Sequence, residues 1–235
     1  MKVLLIIPAY NEEKAIVRVY KNIKKYDKDS RYDVIVINDG STDNTLKKLI
    51  DNNIPHINLI NNLGIGGAVQ TGYKYAKIHG YDIAVQFDGD GQHSIENVED
   101  IIKPIEDGHA DMVIGSRFID KKSSDFKSTK ARRIGINLIS FFINIIGKKK
   151  IYDTTSGFRA VGKDLIDLFS KDYPVEYPEP VSTTKALKQE FIITEVPVKM
   201  NERTEGVSSI RNWKNFYYMF NVILSIIIVG MGEKK

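Results

Sequence analysis

The sequence predicts an α/β fold on a mostly parallel, Rossmann-like sheet flanked by helices. Three observations carry this. Continuous apolar runs such as Val3-Leu4-Leu5-Ile6-Ile7 and Val34-Ile35-Val36-Ile37 suit strands buried on both faces, the habit of parallel sheets. Segments of helical spacing follow such runs, so strand and helix alternate five times in the first half, which implies crossover connections. The segments after the strands begin at Pro8, Asp39, Asn61, Asp88 and Gly115. Most are polar or glycine-rich, and ligands of such sheets sit at those strand ends.

Taken in order, Pro8 is expected to end the first strand. Asn11 is placed to cap a helix with Glu12 and Glu13 in its first turn, and Ala15, Ile16, Val19 and Ile23 then recur at helical spacing. The second strand, 34–37, runs into Asn38-Asp39-Gly40-Ser41-Thr42-Asp43, a turn rich in capping residues, and Leu46, Leu49 and Ile50 mark a short helix. A weaker third strand covers 56–60. Residues 61–67, with Gly64, Gly66 and Gly67, are read as a glycine-rich loop, and a helix to about His79 follows. They lack the dinucleotide and P-loop spacings, so a close strand–helix junction is the favoured reading, with phosphate contact from the helix start as the other. Residues 82–87 form the fourth strand. Ser94 is expected to cap a helix disturbed near Pro104, and 111–114 form the fifth strand.

The fourth strand ends in Phe87-Asp88-Gly89-Asp90-Gly91-Gln92-His93. Two carboxylates one residue apart, just beyond a strand end, can turn toward one point. Hard oxygens there suit Mg²⁺ or Mn²⁺ that also holds phosphates. Gly89 and Gly91 let the backbone approach closely. The bland alternative is a turn, since Asp-Gly is a common hairpin signal.

The chain has 235 residues and no cysteine, which removes disulfides, thiolate catalysis and cysteine zinc sites. The five apolar residues before Pro8 are too short for a signal-peptide core. A net charge of +4 hides an uneven distribution, because residues 117–150 hold ten Lys/Arg against two Asp. Such a block is a solvated face, or it fits phosphates or an anionic membrane. It is interleaved with aliphatics rather than stacking aromatics, so no nucleic-acid partner is expected.

Two apolar stretches stand in the second half. Residues 134–146 are mostly apolar and bracketed by Lys127, Lys130, Arg132 and Arg133 before and Lys148 to Lys150 after. They are short for a bilayer span of about 20 residues. An interfacial helix with basic ends on lipid phosphates and a buried domain helix both fit. Residues 216–231 form a second run, preceded by Trp213, Tyr217 and Tyr218 and closed by Lys234 and Lys235. This C-terminal apolar amphipathic helix reads as interfacial or partly inserted, as a core helix, or as one pairing with a second copy into a homo-oligomer. The expected division is a domain over 1–210 and this membrane-associating or dimerising helix over 211–235.

Four motifs in order resemble the family-2 glycosyltransferases of the GT-A (nucleotide-diphospho-sugar transferase) fold. They are Ile7-Pro8-Ala9-Tyr10-Asn11-Glu12-Glu13, Val36-Ile37-Asn38-Asp39-Gly40-Ser41-Thr42-Asp43, Phe87 to His93 as above, and Ile114-Gly115-Ser116-Arg117-Phe118. Gln92-His93, Thr155-Ser156-Gly157-Phe158-Arg159 and Glu202-Arg203 with Gly206, Ser208 and Ser209 are similar to the dolichyl- and polyprenyl-phosphate sugar synthase branch. The resemblance implies that Pro8, Ala9, Tyr10, Glu12, Asp39, Gly67, Asp88, Gly89 and Asp90 bind the nucleotide. It implies Asp88, Asp90 and Gln92 as metal ligands, Arg203 on the donor phosphates, and Arg117 with Arg132 or Arg133 on the acceptor phosphate.

The expected activity is inverting, metal-dependent transfer from a UDP- or GDP-sugar to polyprenyl phosphate. The expected location is cytoplasmic, peripheral on the inner face of the cell membrane. A departing diphosphate needs neutralisation by a divalent ion and an arginine, and an ionised lipid phosphate needs little help from a base. The alternative acceptor is a sugar hydroxyl of a lipid-linked or cell-surface glycan, with Glu179 as base, then Glu176 or Asp153. Two further readings are weaker. A nucleotidyltransferase would carry a glycine-rich basic loop where Pro8 to Glu13 stand, and a sugar-nucleotide sensor would not need the acidic pair.

Overall fold

Seven strands form one sheet in the order β3-β2-β1-β4-β6-β5-β7. The computed structural model describes residues 1–89, 91, 93–119, 130–198 and 213–232. The strands are β1 (Val3–Ala9), β2 (Tyr32–Asn38), β3 (His56–Asn58), β4 (Ile83–Gln86), β5 (Met112–Ser116), β6 (Arg159–Gly162) and β7 (Ile193–Pro197). The helices are α1 (Ile16–Tyr26), α2 (Thr45–Asp51), α3 (Gly64–Ile78), α4 (Val98–Glu106), α5 (Lys130–Gly147), α6 (Lys163–Lys171), α7 (Pro178–Lys188) and α8 (Trp213–Met231). All neighbouring pairs run parallel except those of β6, which is antiparallel to β4 and β5. This is the predicted α/β architecture, with β6 and β7 added beyond the five strands read from the sequence.

The sheet separates two cores because successive strand residues face opposite sides. Leu4 and Ile6 join a core with residues of α3, α5, α6, α7 and α8. Val3, Leu5 and Ile7 join the other, with residues of α1 and α4. The continuous apolar runs are therefore buried on both faces, as read.

Pro8 does not end β1, which continues in register with β2 through Pro8↔Ile37 and Ala9↔Asn38. The Ile6 carbonyl accepts from Phe87 N on the β4 side. Two residues on, the amide hydrogen that proline lacks would face the same side, where β4 has ended at Gln86. Asn11 also departs from expectation. It takes φ 57° and does not cap α1, whose N-cap is Ala15. Its Oδ1 instead accepts from Thr42 N at 2.8 Å, and its own N donates to Ser41 Oγ at 3.0 Å. The residue ties the loop after β1 to the loop after β2. Ser94 makes no side-chain cap bond, and a 3-10 turn (Ile95–Asn97) precedes α4, which runs through Pro104.

Helices α5 and α8 pack on each other and on α7. A Cβ on Gly135 would meet Met219 Sδ at 2.5 Å, and one on Gly230 would meet Ile146 Cδ1 at 2.6 Å. Start lies by start and end by end, so the two helices run parallel. Lys188 of α7 donates from Nζ to the carbonyls of Val229 at 2.9 Å, Gly230 at 2.8 Å and Gly232. These are carbonyls a helix end leaves unpaired, and the cation suits the negative end of the macrodipole. The apolar C-terminal helix is thus docked on the α/β body.

Candidate active site

The site forms where the carboxyl ends of β1, β2 and β4 meet the beginning of β6. Because β6 runs antiparallel, its start lies at this edge, with Gln86 in register with Arg159. That delivers the 153–158 loop to the same corner. A Cβ on Gly89 would lie 3.2 Å from the Pro8 carbonyl, so Gly89 stands against the end of β1. A Cβ on Gly157 would lie 3.1 Å from both Asp88 carboxylate oxygens. Glycine there lets the β6 loop close on Asp88.

Asp88 is about one-third exposed (33 %), and its Oδ2 lies 2.9 Å from His93 Nε2. The imidazole is fixed in turn by stacking on Phe158, with ring centroids 4.7 Å apart. Burial works against the charge on Asp88. The His93 ring, a bond from the Gln86 amide and the nearby Arg117 outweigh it, so the carboxyl is held below the usual range. An ionised carboxylate, one-third exposed, is the kind of donor a hard divalent cation needs. Asp90 and Gln92, the other expected metal ligands, lie outside the described residues, as does Arg203.

Asp39 sits at the end of β2, buried at 3 % exposure. Its Oδ1 accepts from Leu63 N at 2.7 Å, and its N donates to the Ala9 carbonyl at 2.8 Å. It joins the tips of β1 and β2 to the entry of α3. Pro8 and Ala9 are buried beside it, whereas Tyr10 is 48 % exposed. Glu12 is anchored through its N to Thr45 Oγ1 at 2.8 Å. Gly67 has a packing explanation, because an added Cβ would sit 2.5 Å from Leu63 Cβ. Gly66 likewise meets the Pro174 carbonyl at 2.2 Å. The glycines read as a loop lie in the first turn of α3, which begins at Gly64, and Gly66 and Gly67 make room for neighbouring segments of the chain rather than for a strand–helix junction.

Arg117, expected on the acceptor phosphate, is engaged internally. Its Nε and Nη2 donate to Asp153 at 2.7 and 2.6 Å, and Nη2 also donates to Thr155 Oγ1 at 3.0 Å. A guanidinium only 8 % exposed requires such a fork partner. Asp153 is fully buried in this pair, so it is not placed as a base. Arg117 and Arg133 both lie over the Phe118 ring, at 5.3 and 5.4 Å from its centroid. Arg133 is exposed at the start of α5. The side chain of Arg132 is outside the described set.

Glu179 lies in the first turn of α7, partly buried. Burial raises its pKa, opposed chiefly by the charge of Arg159 and more weakly by hydrogen bonding that includes the Gln86 amide. Glu176 is exposed. Arg159 is fully buried and donates to the Glu179 carbonyl at 3.1 Å, Ser182 Oγ at 3.1 Å and the Ser156 carbonyl at 2.7 Å. Gln86 and Arg159 were not assigned roles from the sequence. The available signal was a polar residue at one end of each of two short apolar strands, Gln86 closing β4 and Arg159 opening β6.

The family model described as glycosyl transferase family 2 matches residues 4–169. UDP-N-acetylglucosamine–dolichyl-phosphate N-acetylglucosaminyltransferase of Methanococcus voltae is 32 % identical, over 98 % of this chain and 97 % of its own. Polyprenol monophosphomannose synthase of Mycolicibacterium smegmatis is 28 % identical, over 94 % of this chain and 85 % of its own. Among solved structures, glucosyl-3-phosphoglycerate synthase from Mycobacterium tuberculosis, in complex with Mn²⁺, UDP and glucosyl-3-phosphoglycerate, superposes with a TM-score of 0.68. It has 18 % identity and covers 99 % of this chain and 81 % of that one, a likeness of fold. With a family match over most of the chain and a relative aligned along nearly all of it, the protein belongs to glycosyl transferase family 2, as a GT-A glycosyltransferase of the dolichyl- and polyprenyl-phosphate branch.

Proposed function

We propose that the enzyme transfers a sugar from a nucleoside-diphosphate sugar to the phosphate of a polyprenyl lipid at the membrane surface, with inversion. One observation carries the reading. The 153–158 loop touches both corners: a Cβ on its Gly157 would lie 3.1 Å from the Asp88 carboxylate, and its Asp153 holds Arg117, which with the exposed Arg133 lies over the Phe118 ring. The donor corner and a cationic acceptor corner are therefore adjacent. The Methanococcus voltae relative, named for UDP-N-acetylglucosamine and dolichyl phosphate, supports that pair as the first substrates to test.

Pro8, Ala9, Tyr10, Glu12 and Asp39 line the nucleotide side. Asp88, with Asp90 and Gln92, would hold Mg²⁺ or Mn²⁺, which when bound supplies charge neutralisation for the departing diphosphate. Arg133 receives the acceptor phosphate, and Arg117 holds the 153–155 loop and Phe118 in place. One acceptor phosphate oxygen bonds to the anomeric carbon as the bond to the nucleoside diphosphate breaks. Attack from the opposite face inverts the centre. A phosphate nucleophile is already ionised, so no base is required.

The test incubates the protein with UDP- and GDP-sugars in turn, polyprenyl phosphate, and Mg²⁺ or Mn²⁺. A lipid-linked monosaccharide of inverted configuration is expected. Transfer to a soluble glycan with no lipid product under any donor would overturn the reading.

A further inference from the structure

Resting on the reading that the acceptor is a membrane lipid, we propose that α5 and α8 together form the face on which the enzyme lies on an anionic bilayer. Each helix buries one side and exposes an apolar stripe on the other. On α5 the buried side is Ile136, Ile139 and Ile143, and Ile134, Leu138, Phe141 and Ile145 are exposed. On α8 the buried side is Val222 and Ile226, and Phe220, Leu224, Ile228 and Met231 are exposed. Spacings of three and four place each set along one helix face. The helices run parallel in mutual contact and both pack on α7, so the two stripes lie side by side on the outside of the molecule.

A paired apolar surface of eight large side chains is more than scattered exposure explains. The charge around it selects the occupant. Exposed Arg133 stands at one end of the α5 stripe and exposed Lys148, Lys149 and Lys150 at the other. Neither α5 nor α8 contains an aspartate or glutamate. A second copy seated on this face in either orientation would set cations against cations, with no carboxylate on either helix to pair them. Anionic headgroups neutralise both ends while acyl chains take the stripes. Among the described residues no helix is long and apolar enough to cross a membrane, so this contact lies along the surface. It also sets Arg133, the acceptor-phosphate residue, at headgroup level, where a polyprenyl phosphate presents its charge.

The experiment is flotation of the full chain with phosphatidylcholine vesicles, with and without one-third phosphatidylglycerol. The wild type is expected to float with the anionic vesicles and to lose binding as salt rises. The double variant Phe141→Glu, Phe220→Glu should float at least tenfold less. It should keep its circular dichroism melt and its turnover of a water-soluble, short-chain polyprenyl phosphate. Unchanged flotation of the folded variant would overturn the proposal. So would a wild type that ignores vesicles but is dimeric by light scattering and becomes monomeric in the variant, which would assign the face to a second copy. Failure of the wild type to use any short-chain acceptor would sink the functional reading instead, and flotation would still decide the surface.

Discussion

Asp88 is held ionised by specific neighbours, chiefly His93, against the cost of its own burial. Asp88→Asn keeps the shape and removes the charge. It is expected to lower kcat/KM by about 10²–10³, the scale of losing one electrostatic contact to a developing charge. The melting temperature should stay within a few degrees, and steady-state kinetics beside a thermal melt check both. Asp43 carries a pH effect. Burial opposes its charge, but Thr45 Oγ1 and N at 2.5 and 2.8 Å and Glu13 N at 3.2 Å bind it, so its pKa is lowered on folding. Its contribution is therefore present above the unfolded carboxyl pKa and is lost as pH falls through the folded value. Asp43→Asn should flatten the fall in stability below about pH 4, read by urea melts across pH. An unchanged acid slope would remove Asp43 as a cause. Asp88 and Asp39 were legible at this scale because carboxylates just after apolar runs are conspicuous. The internal pairing of Arg117 with Asp153 was not, since 36 residues separate partners that only the sheet brings together.

Among the elements, β6 decides the site. It enters antiparallel between β4 and β5 and so presents its beginning, not its end, to the edge where the candidate site lies. No period in a four-residue strand announces direction. Helix α3 shows how glycine sets an approach distance: a Cβ on Gly72 would lie 2.2 Å from Ile6 Cγ2. Gly72→Ala should destabilise the protein by about 1–3 kcal/mol through overpacking, measured by denaturant unfolding. At the other end of the chain, Lys188→Ala should cost about 1–2 kcal/mol by uncapping α8 and should speed hydrogen exchange in its last turn. Equal exchange in the two proteins would show that the apolar contacts alone hold that end.

Across the whole molecule, ligand and fold are linked. A nucleoside diphosphate that binds only the folded state should raise the melting temperature, and Mn²⁺ should enlarge the rise. At a hundredfold excess over Kd the gain is about 2.7 kcal/mol. Chelation with EDTA should return the melt to its nucleotide-only value. Indifference to the metal would remove the divalent ion from the proposed site.

The order of strands and helices in the first half was written into the sequence, because a strand covered on both faces must be apolar throughout. The carboxylates at the ends of β2 and β4 were marked there too, because a parallel sheet gathers its ligands at one edge. The tertiary structure alone decided the direction of β6, the burial of Arg159 beside Glu179, the use of Arg117 as an internal fork and the side-by-side placement of α5 and α8. Each of these depends on partners far apart along the chain, and local pattern holds no information about which distant surface a residue will meet.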